Sequence, residues 1–248
     1  MKMWKLYCMA ISLILLASCM GTDEDKQKFG AQIGVVQLEP EKCIHISDGE
    51  AIYATAMDTM DLKAGDCCLL DYVKDCSTKE VGYGYAKYQA QILKYDPVRV
   101  LELSPSLTDT TRVLDKERIL SFSLLRCTYF KGRFFLFTEL SDYVDGETSL
   151  FDLSYNPKQG AVVEAGDNRV YNLYLRASKG NVEEGQRGSR YTIPVAFDLE
   201  QFVEEASAME KSAGLDTLKF KFNYPRNFNV DTTACIWTTS DLFTMPIY

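Results

Sequence analysis

The sequence predicts a mainly β protein with two domains, an OB-like barrel followed by an antiparallel β-sandwich with one short helix. Tyrosine and phenylalanine are abundant, with 15 and 13 residues, whereas only 7 prolines occur in the 248 residues. Many short runs alternate apolar and polar residues, which is the pattern of half-buried strands. A polar, turn-rich stretch at 104–118 separates two groups of such runs and is predicted to be the linker.

Residues 1–18 are predicted to be a lipoprotein signal peptide. Lys2 and Lys5 precede an apolar run that is too short to span a bilayer and has the length of a secretory signal. The run ends in Leu16-Ala17-Ser18-Cys19, which resembles the bacterial lipobox and implies that Cys19 carries the lipid. Two or more acyl chains attach a protein stably to a membrane. A core helix with a buried cysteine is the alternative, and the order of these features argues against it.

Residues 19–31 are predicted to be an acidic tether that begins at the acylated Cys19 and connects the lipid to the folded domains. Met20 is not an aspartate, so the usual signal for retention at the inner membrane is absent. The run Thr22-Asp23-Glu24-Asp25 resembles the surface-export signal of lipoproteins in some diderm bacteria, and a solvated tether is the alternative. The sequence therefore favours an outer-membrane lipoprotein that faces the cell surface, with the periplasmic face as the alternative.

Charge argues against one class of partner. Loss of residues 1–18 removes two of the 27 basic residues and none of the 35 acidic ones, which leaves a net charge of −10. Nucleic-acid binding needs a basic surface that replaces counterions, so we expect no nucleic-acid partner. The expected partners are the membrane, through the lipid anchor, and a protein or glycan ligand.

Residues 32–103 are predicted to form the OB-like barrel. A first strand at 33–38 is followed by a hairpin around Asp48-Gly49, a pair typical of type I′ turns because both positions need positive φ. A long strand at 83–95 alternates apolar and polar residues, and 98–103 is predicted to close the set. Five or six short strands in about 70 residues suit a small barrel of the OB type.

Residues 119–248 are predicted to form the sandwich. Its strands include hairpins, one of them with Lys131-Gly132 at the turn, and one helix interrupts them. Asp198 is predicted to cap that helix, with Gln201 as the partner in a capping box. Apolar residues then recur on one helical face, and Gly214 follows the C-terminus.

The order of these features resembles the NigD-like family of bacterial lipoproteins. The resemblance implies an OB-like N-terminal domain and a β-sandwich C-terminal domain, in agreement with the strand pattern. It implies location and fold but no activity, and the histidine expected near the strand at Val170 is missing. The matching features are the lipobox, the acidic tether, the turn at 47–50, the strand entry at Gly65-Asp66, and the stretches 82–95, 170–176 and 193–199.

Six cysteines remain after Cys8 leaves with the signal and Cys19 is acylated: Cys43, Cys67, Cys68, Cys76, Cys127 and Cys235. An exported protein lies in a compartment where disulfides form, and Cys127–Cys235 is the pair that we predict. Buried thiols are the alternative. A metal site is not predicted, because no C-x-x-C occurs and His45 is the only histidine.

No enzyme signature and no cofactor motif occurs. His45 lies two residues from Cys43 on a predicted strand, so the two could touch, but an ordinary strand histidine is favoured. Asp142, Asp145 and Glu147 have the oxygen ligands that calcium takes, but a polar turn is favoured because the EF-hand spacing is missing. We therefore expect a protein that is not an enzyme.

Three aromatic residues near the C-terminus, Tyr224, Phe228 and Trp237, are candidate ligand contacts. Exposed aromatic side chains stack on sugars or anchor protein partners, whereas buried ones belong to the core. The function that the sequence favours is a non-enzymatic binding or interaction module in the cell envelope. The alternatives are a structural or immunity-type protein that binds another protein, and a hydrolase that uses paired carboxylates.

Overall fold

The computed structural model describes residues 25–122, 127–144, 147–166, 168–180 and 188–247. The predicted signal peptide, Cys19 and the acidic run up to Glu24 lie outside the described residues. The chain divides into two compact units after Asp96.

Five strands of the first unit form a closed barrel. They are β1 (Lys26–Gln37), β2 (Cys43–Ser47), β3 (Glu50–Tyr53), β4 (Cys67–Gly82) and β5 (Tyr85–Val98). Their order around the barrel is β1-β2-β3-β5-β4. The pairings of β1 with β2, β2 with β3 and β1 with β4 are antiparallel, whereas β3 and β5 run parallel. The predicted OB barrel is thereby confirmed.

Alternation along the strands fills the barrel interior. Ile44, Ile52 and Leu70 are fully buried in an apolar cluster that also contains Tyr72. Gly34 faces the same interior, where a Cβ atom would lie only 2.5 Å from Ile44 Cγ2. Close approach of β1 to its neighbours therefore requires glycine at this position.

The barrel begins earlier than predicted. β1 starts at Lys26, so residues 26–31 belong to a strand and the predicted tether of 19–31 is too long. The physical reason is the length of β4, which extends far enough to pair Lys26 with Asp75 and Phe29 with Tyr72.

The second unit contains a large curled sheet. Its strands are β6 (Val100–Ser104), β7 (Leu120–Phe122), β8 (Thr128–Phe130), β9 (Arg133–Tyr143), β10 (Ser149–Tyr155), β11 (Val162–Glu164), β12 (Asn168–Lys179), β13 (Ser189–Asp198), β14 (Thr217–Phe228), β15 (Cys235–Thr239) and β16 (Phe243–Pro246). The order is β15-β14-β12-β10-β6-β13-β9-β7, while β8, β11 and β16 pair with β9, β12 and β14. Most of these pairings are antiparallel, but β6 runs parallel to β10 and β13, and β12 runs parallel to β14.

The sheet curls until its two ends face each other, which produces the two-layered packing expected of a sandwich. The Phe122 ring in β7 lies 5.7 Å from the Phe222 ring in β14 and 4.6 Å from the Tyr224 ring. Residues from both ends of the sheet and from the helix share one apolar core. The sandwich therefore consists of one continuous sheet whose layers are joined through β6.

Two predicted boundaries change because both segments belong to the curled sheet or pack against it. Residues 98–103 were predicted to close the barrel, but β6 lies between β10 and β13 in the second unit. The predicted linker, 104–118, folds onto the outer face of the curled sheet. Arg176 in β12 holds it there, donating to Asp109 O at 2.9 Å and to Glu117 Oε1 at 2.7 Å.

The one α-helix among the described residues is α1 (Glu200–Ser212), where the sequence predicts it. Phe202 and Ala206 pack into the core, and Gly214 follows with a φ of 78°. The predicted cap differs in detail. Leu199 is the N-cap residue, Asp198 Oδ1 accepts the Glu200 N–H at 3.1 Å, and the Gln201 side chain donates to Glu205 instead of closing a capping box.

Candidate functional site

The three predicted aromatic contacts do not form one surface. Tyr224 pairs with Thr238, so its side chain and that of Trp237 point to opposite faces of the sheet. Trp237 Nε1 donates to Thr110 O at 3.0 Å, and the Arg176 guanidinium lies 5.3 Å from the indole ring. Phe228 is half-buried and pairs with Cys235. Trp237 therefore anchors the 104–118 segment, and only Tyr224 remains at an open site.

That open site is a groove where the curled sheet fails to close, which we call the seam groove. It is lined by residues 119–122, by Tyr224 and Arg226 of β14, and by residues 238–244, and it has a volume of about 950 Å³. This volume lies within the range of ligand pockets. Both walls come from the ends of the sheet, since β7 is the last strand at one end and β15 is the last strand at the other.

Aromatic side chains form the floor of the seam groove. Phe122, Tyr224 and Phe243 are half-buried and pack against the core below them. Burial raises the pKa of the Tyr224 phenol, while the charge of Arg226 opposes this shift and that of Asp241 adds a smaller contribution to it. The phenol therefore stays protonated at neutral pH and lies close to one cationic and one anionic side chain.

Arg226 reaches the seam groove because β14 contains a bulge. Pro225 pairs with Trp237 and Asn227 pairs with Ile236, so Arg226 is the extra residue between two consecutive partners. Bulges redirect side chains and are frequent next to functional sites. Arg226 is exposed, and its guanidinium pairs with no carboxylate in the part of the chain that the structure describes. The groove therefore offers an available positive charge.

The walls also present the edges of strands. Within the described ranges, β7 pairs only with β9 and β15 pairs only with β14. The second edge of each strand therefore has backbone groups without a strand partner. Hydroxyl side chains, among them those of exposed Ser121 and Thr239, line the same walls.

A buried charge network lies on the opposite face of the sheet. Glu117 accepts two hydrogen bonds from Arg176, both of 2.7 Å, and the Cys235 thiol lies 3.3 Å from Glu117 Oε2. Burial and this carboxylate raise the pKa of Cys235 to about 11. Cys127 packs at the margin of the apolar core, whereas Cys235 belongs to this charge network. The Cys127–Cys235 disulfide stays a prediction.

The acidic residues considered for calcium are held in ion pairs. Glu147 is buried and pairs with Arg118, and its carboxylate also accepts the Ser149 hydroxyl at 3.2 Å. Asp142 pairs with Lys179, whose hydrogen bond lowers the pKa of Asp142. Asp145 lies outside the described residues. Across the described ranges, no three His, Cys, Asp or Glu side chains are placed to hold a metal ion.

His45 belongs to a buried polar cluster on the barrel. Its Nε2 lies 2.8 Å from Gln37 Oε1 and 3.9 Å from Cys43 Sγ, and the Tyr85 ring packs edge-on at 4.5 Å. Cys43 is 0% exposed and His45 is 1% exposed. The predicted proximity of the two side chains is confirmed, but neither is accessible to a substrate in this conformation.

Comparison with known proteins finds a family model that matches most of the first unit. Residues 25–92 match the family model described as a lipoprotein OB domain. This stretch is therefore similar to a lipoprotein OB domain. The match agrees with the closed barrel of the first unit. No curated protein matches the chain.

Solved structures are similar to this chain over most of its length. An uncharacterized protein from Parabacteroides merdae aligns with a TM-score of 0.73 and 21% identity over 88% of this chain and 99% of that one. A protein assigned as a lipoprotein from Bacteroides fragilis aligns with a TM-score of 0.54 and 14% identity over 90% and 99%. A NigD-like immunity protein from Bacteroides caccae aligns with a TM-score of 0.47 and 11% identity over 86% and 91%. At these identities the first two likenesses concern the fold alone, and the third carries no argument.

Sequence reasoning identified Tyr224 but missed the rest of the seam groove. Phe122, Arg226 and Asp241 are far apart in sequence and meet only because the sheet curls. Pro225 was the available signal, because proline inside a strand indicates an edge or a bulge.

In the described part of the chain, no helix has the length and apolar character needed to cross a bilayer.

Proposed function

We propose that this protein is a non-enzymatic binding module of the outer membrane, held by lipid on Cys19 and facing the cell surface. The seam groove is the observation that carries the proposal. It combines an aromatic floor, an available guanidinium and open strand edges in one cleft of about 950 Å³. Such a combination of apolar floor and a few converging polar groups is typical of ligand sites.

The lipoprotein OB domain supports the anchoring part of the proposal. The acidic run Thr22-Asp23-Glu24-Asp25 supports the orientation, because it resembles an export signal. The non-enzymatic part is supported by the state of the buried acids. Glu117, Glu147 and Glu210 are each paired with an arginine, so they are held as ion-pair partners rather than as an acid and base that face a cleft.

Binding is tested with the mature chain in which Cys19→Ser prevents acylation. It is applied to a glycan array and a peptide array, together with Arg226→Glu in the seam groove and Lys158→Glu at an exposed turn outside it. The two variants change net charge equally, so a general charge effect would alter both. We expect ligands whose binding is lost in Arg226→Glu and retained in Lys158→Glu. Ligands that bind all three proteins equally would exclude the seam groove as the site.

Orientation is tested by protease shaving of intact cells. The native lipoprotein is compared with a variant that carries Asp23→Asn, Glu24→Gln and Asp25→Asn. We expect the native protein to be cleaved and the neutral variant to be protected. Protection of both proteins would contradict the surface orientation.

A further inference from the structure

From the edges of the seam groove, we infer that its ligand is an extended peptide segment of a partner protein, which adds as a strand to the open edge of β7 and places an acidic side chain at Arg226. This inference rests on the proposed function and specifies the class of its ligand. It follows from the walls, the floor and the charge of the groove.

The β7 wall has the geometry that an added strand requires. Leu120, Ser121 and Phe122 pair with Leu140, Glu139 and Thr138 on one side, and no described strand occupies the other. Leu120 and Phe122 turn inward to the core, whereas Ser121 is exposed. A peptide that pairs with this edge would form main-chain hydrogen bonds and direct alternate side chains to the aromatic floor.

The opposite wall supplies side chains rather than a continuous edge. Between β15 and β16 the chain leaves the sheet, and the Ser240 hydroxyl accepts the Phe222 N–H at 3.0 Å. The Ser240 N–H in turn donates to Phe222 O at 2.8 Å. This interruption keeps the 238–244 segment close to β14 and leaves the space above the floor open between the two walls.

The aromatic floor favours a peptide over a sugar. Sugar rings stack on exposed aromatic faces, but the Phe122 ring packs against Phe222 and Tyr224. Trp237, the best stacking residue of the chain, lies on the other face with Arg176 over its ring. Half-buried rings provide an apolar surface of the kind that receives alternate side chains of a strand.

Arg226 defines the charge of the peptide. Its guanidinium is exposed and is free of ion pairs within the described part of the chain, although Asp241 lies in the same groove. Arginine binds carboxylates through directed, charge-assisted hydrogen bonds. An aspartate or glutamate in the peptide therefore complements the one available cation of the groove.

The test starts from peptides selected from a random display library on the mature chain with Cys19→Ser. We expect the selected peptides to contain an acidic residue within an alternating apolar pattern. Their affinity should fall about tenfold or more with Arg226→Glu, because a charge-assisted pair is replaced by repulsion, and should be unchanged with Lys158→Glu. Equal affinity for the two variants would overturn the inference.

Strand addition is tested by methylating the backbone nitrogens of a selected peptide at every second residue. In an added strand, alternate amides point to the β7 edge, so one set of methylated positions should abolish binding while the other set is tolerated. Equal tolerance of both sets would overturn strand addition. A glycan whose binding depends on Arg226, without any such peptide, would overturn this inference and leave the proposed function standing. No ligand of either kind that depends on Arg226 would overturn both.

Discussion

The barrel and the curled sheet differ in whether they leave strand edges without a neighbouring strand. In the barrel, β4 returns to β1 and every strand lies between two neighbours. In the curled sheet, the described strands end at β7 and at β15, and the two ends face each other across the seam groove. A closed barrel leaves no edge for a partner, whereas an open seam does. The difference directs the search for a ligand to the second unit.

The two units also differ in what they bury. The barrel interior is an apolar cluster around Ile44, Ile52 and Leu70. The curled sheet buries Glu117, Glu147 and Glu210, whose side chains are at most 1% exposed and each paired with an arginine. Such pairs add little net stability, but removing one partner is costly because the other charge stays buried. Different kinds of substitution should therefore destabilise the two units.

The largest effect is expected for Glu117→Ala. It leaves Arg176 buried without its carboxylate and should destabilise the second unit by about 3–5 kcal/mol. Urea unfolding followed by tryptophan fluorescence measures this, because Trp237 is the only tryptophan once the signal peptide with Trp4 is removed. The control is Glu139→Ala, whose exposed pair with Arg190 should contribute less than about 1 kcal/mol. Similar losses for both variants would contradict the role of the buried pair.

In the barrel, the sensitive position is a glycine rather than an ion pair. Gly34→Ala would place a Cβ atom 2.5 Å from Ile44 Cγ2 and 3.0 Å from Cys68 Sγ. Overpacking of this kind costs about 1–3 kcal/mol, which thermal unfolding measured by circular dichroism would show as a lower Tm. Gly82→Ala is the matched control, because no atom lies within 4 Å of the added Cβ. A Tm in Gly34→Ala as high as in the control would mean that the barrel interior is looser than described.

Acid should weaken the second unit through Glu210. Burial opposes ionisation of this carboxyl, but hydrogen bonds from Arg169 and Tyr171 outweigh it and lower the pKa of Glu210. Its contribution to stability is therefore full above the unfolded pKa of about 4.3 and is lost as pH falls through the lower folded value. Urea midpoints between pH 7 and pH 3 should decline less steeply in Glu210→Gln than in the native chain. Parallel curves would show that Glu210 does not contribute to the acid response.

The smallest effect is expected at the turn between β4 and β5. Tyr83 has a φ of 51° and is followed by Gly84 at 85°, the pattern of a type I′ turn, in which asparagine is preferred. Tyr83→Asn should stabilise the chain by about 0.5–1 kcal/mol, because asparagine tolerates positive φ better than a bulky residue. Tyr83→Phe keeps the strain and should leave the Tm unchanged. A gain in Tyr83→Phe as large as in Tyr83→Asn would assign the effect to the hydroxyl group instead.

The sequence predicted the parts of the fold that depend on near neighbours. The Asp48-Gly49 hairpin, the alternating strand after Gly84 and the helix before Gly214 are local patterns, and each is present in the structure. The predicted type I′ turn is wrong, because neither Asp48 nor Gly49 has a positive φ. The sequence missed pairings between distant segments. Nothing near Val100 indicates that this strand lies between β10 and β13, so residues 98–103 were assigned to the barrel.

The candidate site was predicted only in part for the same reason. Tyr224 stood out as an aromatic residue, but the direction in which Trp237 points depends on its register with Pro225. The polar stretch 104–118 looked like a linker because its partners, Arg176 and Trp237, come much later in the chain. Positions that depend on register and on buried charge pairs are set by tertiary structure rather than by local composition.

Hydrogen exchange of the mature chain, alone and with a ligand selected on it, tests the central claim most directly. OB barrels are frequent binding platforms, so the first unit is the natural competitor for the ligand. We predict that the ligand will slow amide exchange in β7 and in residues 238–244, while exchange in the barrel strands stays unchanged. Protection confined to the barrel, with none gained along the seam groove, would contradict the account.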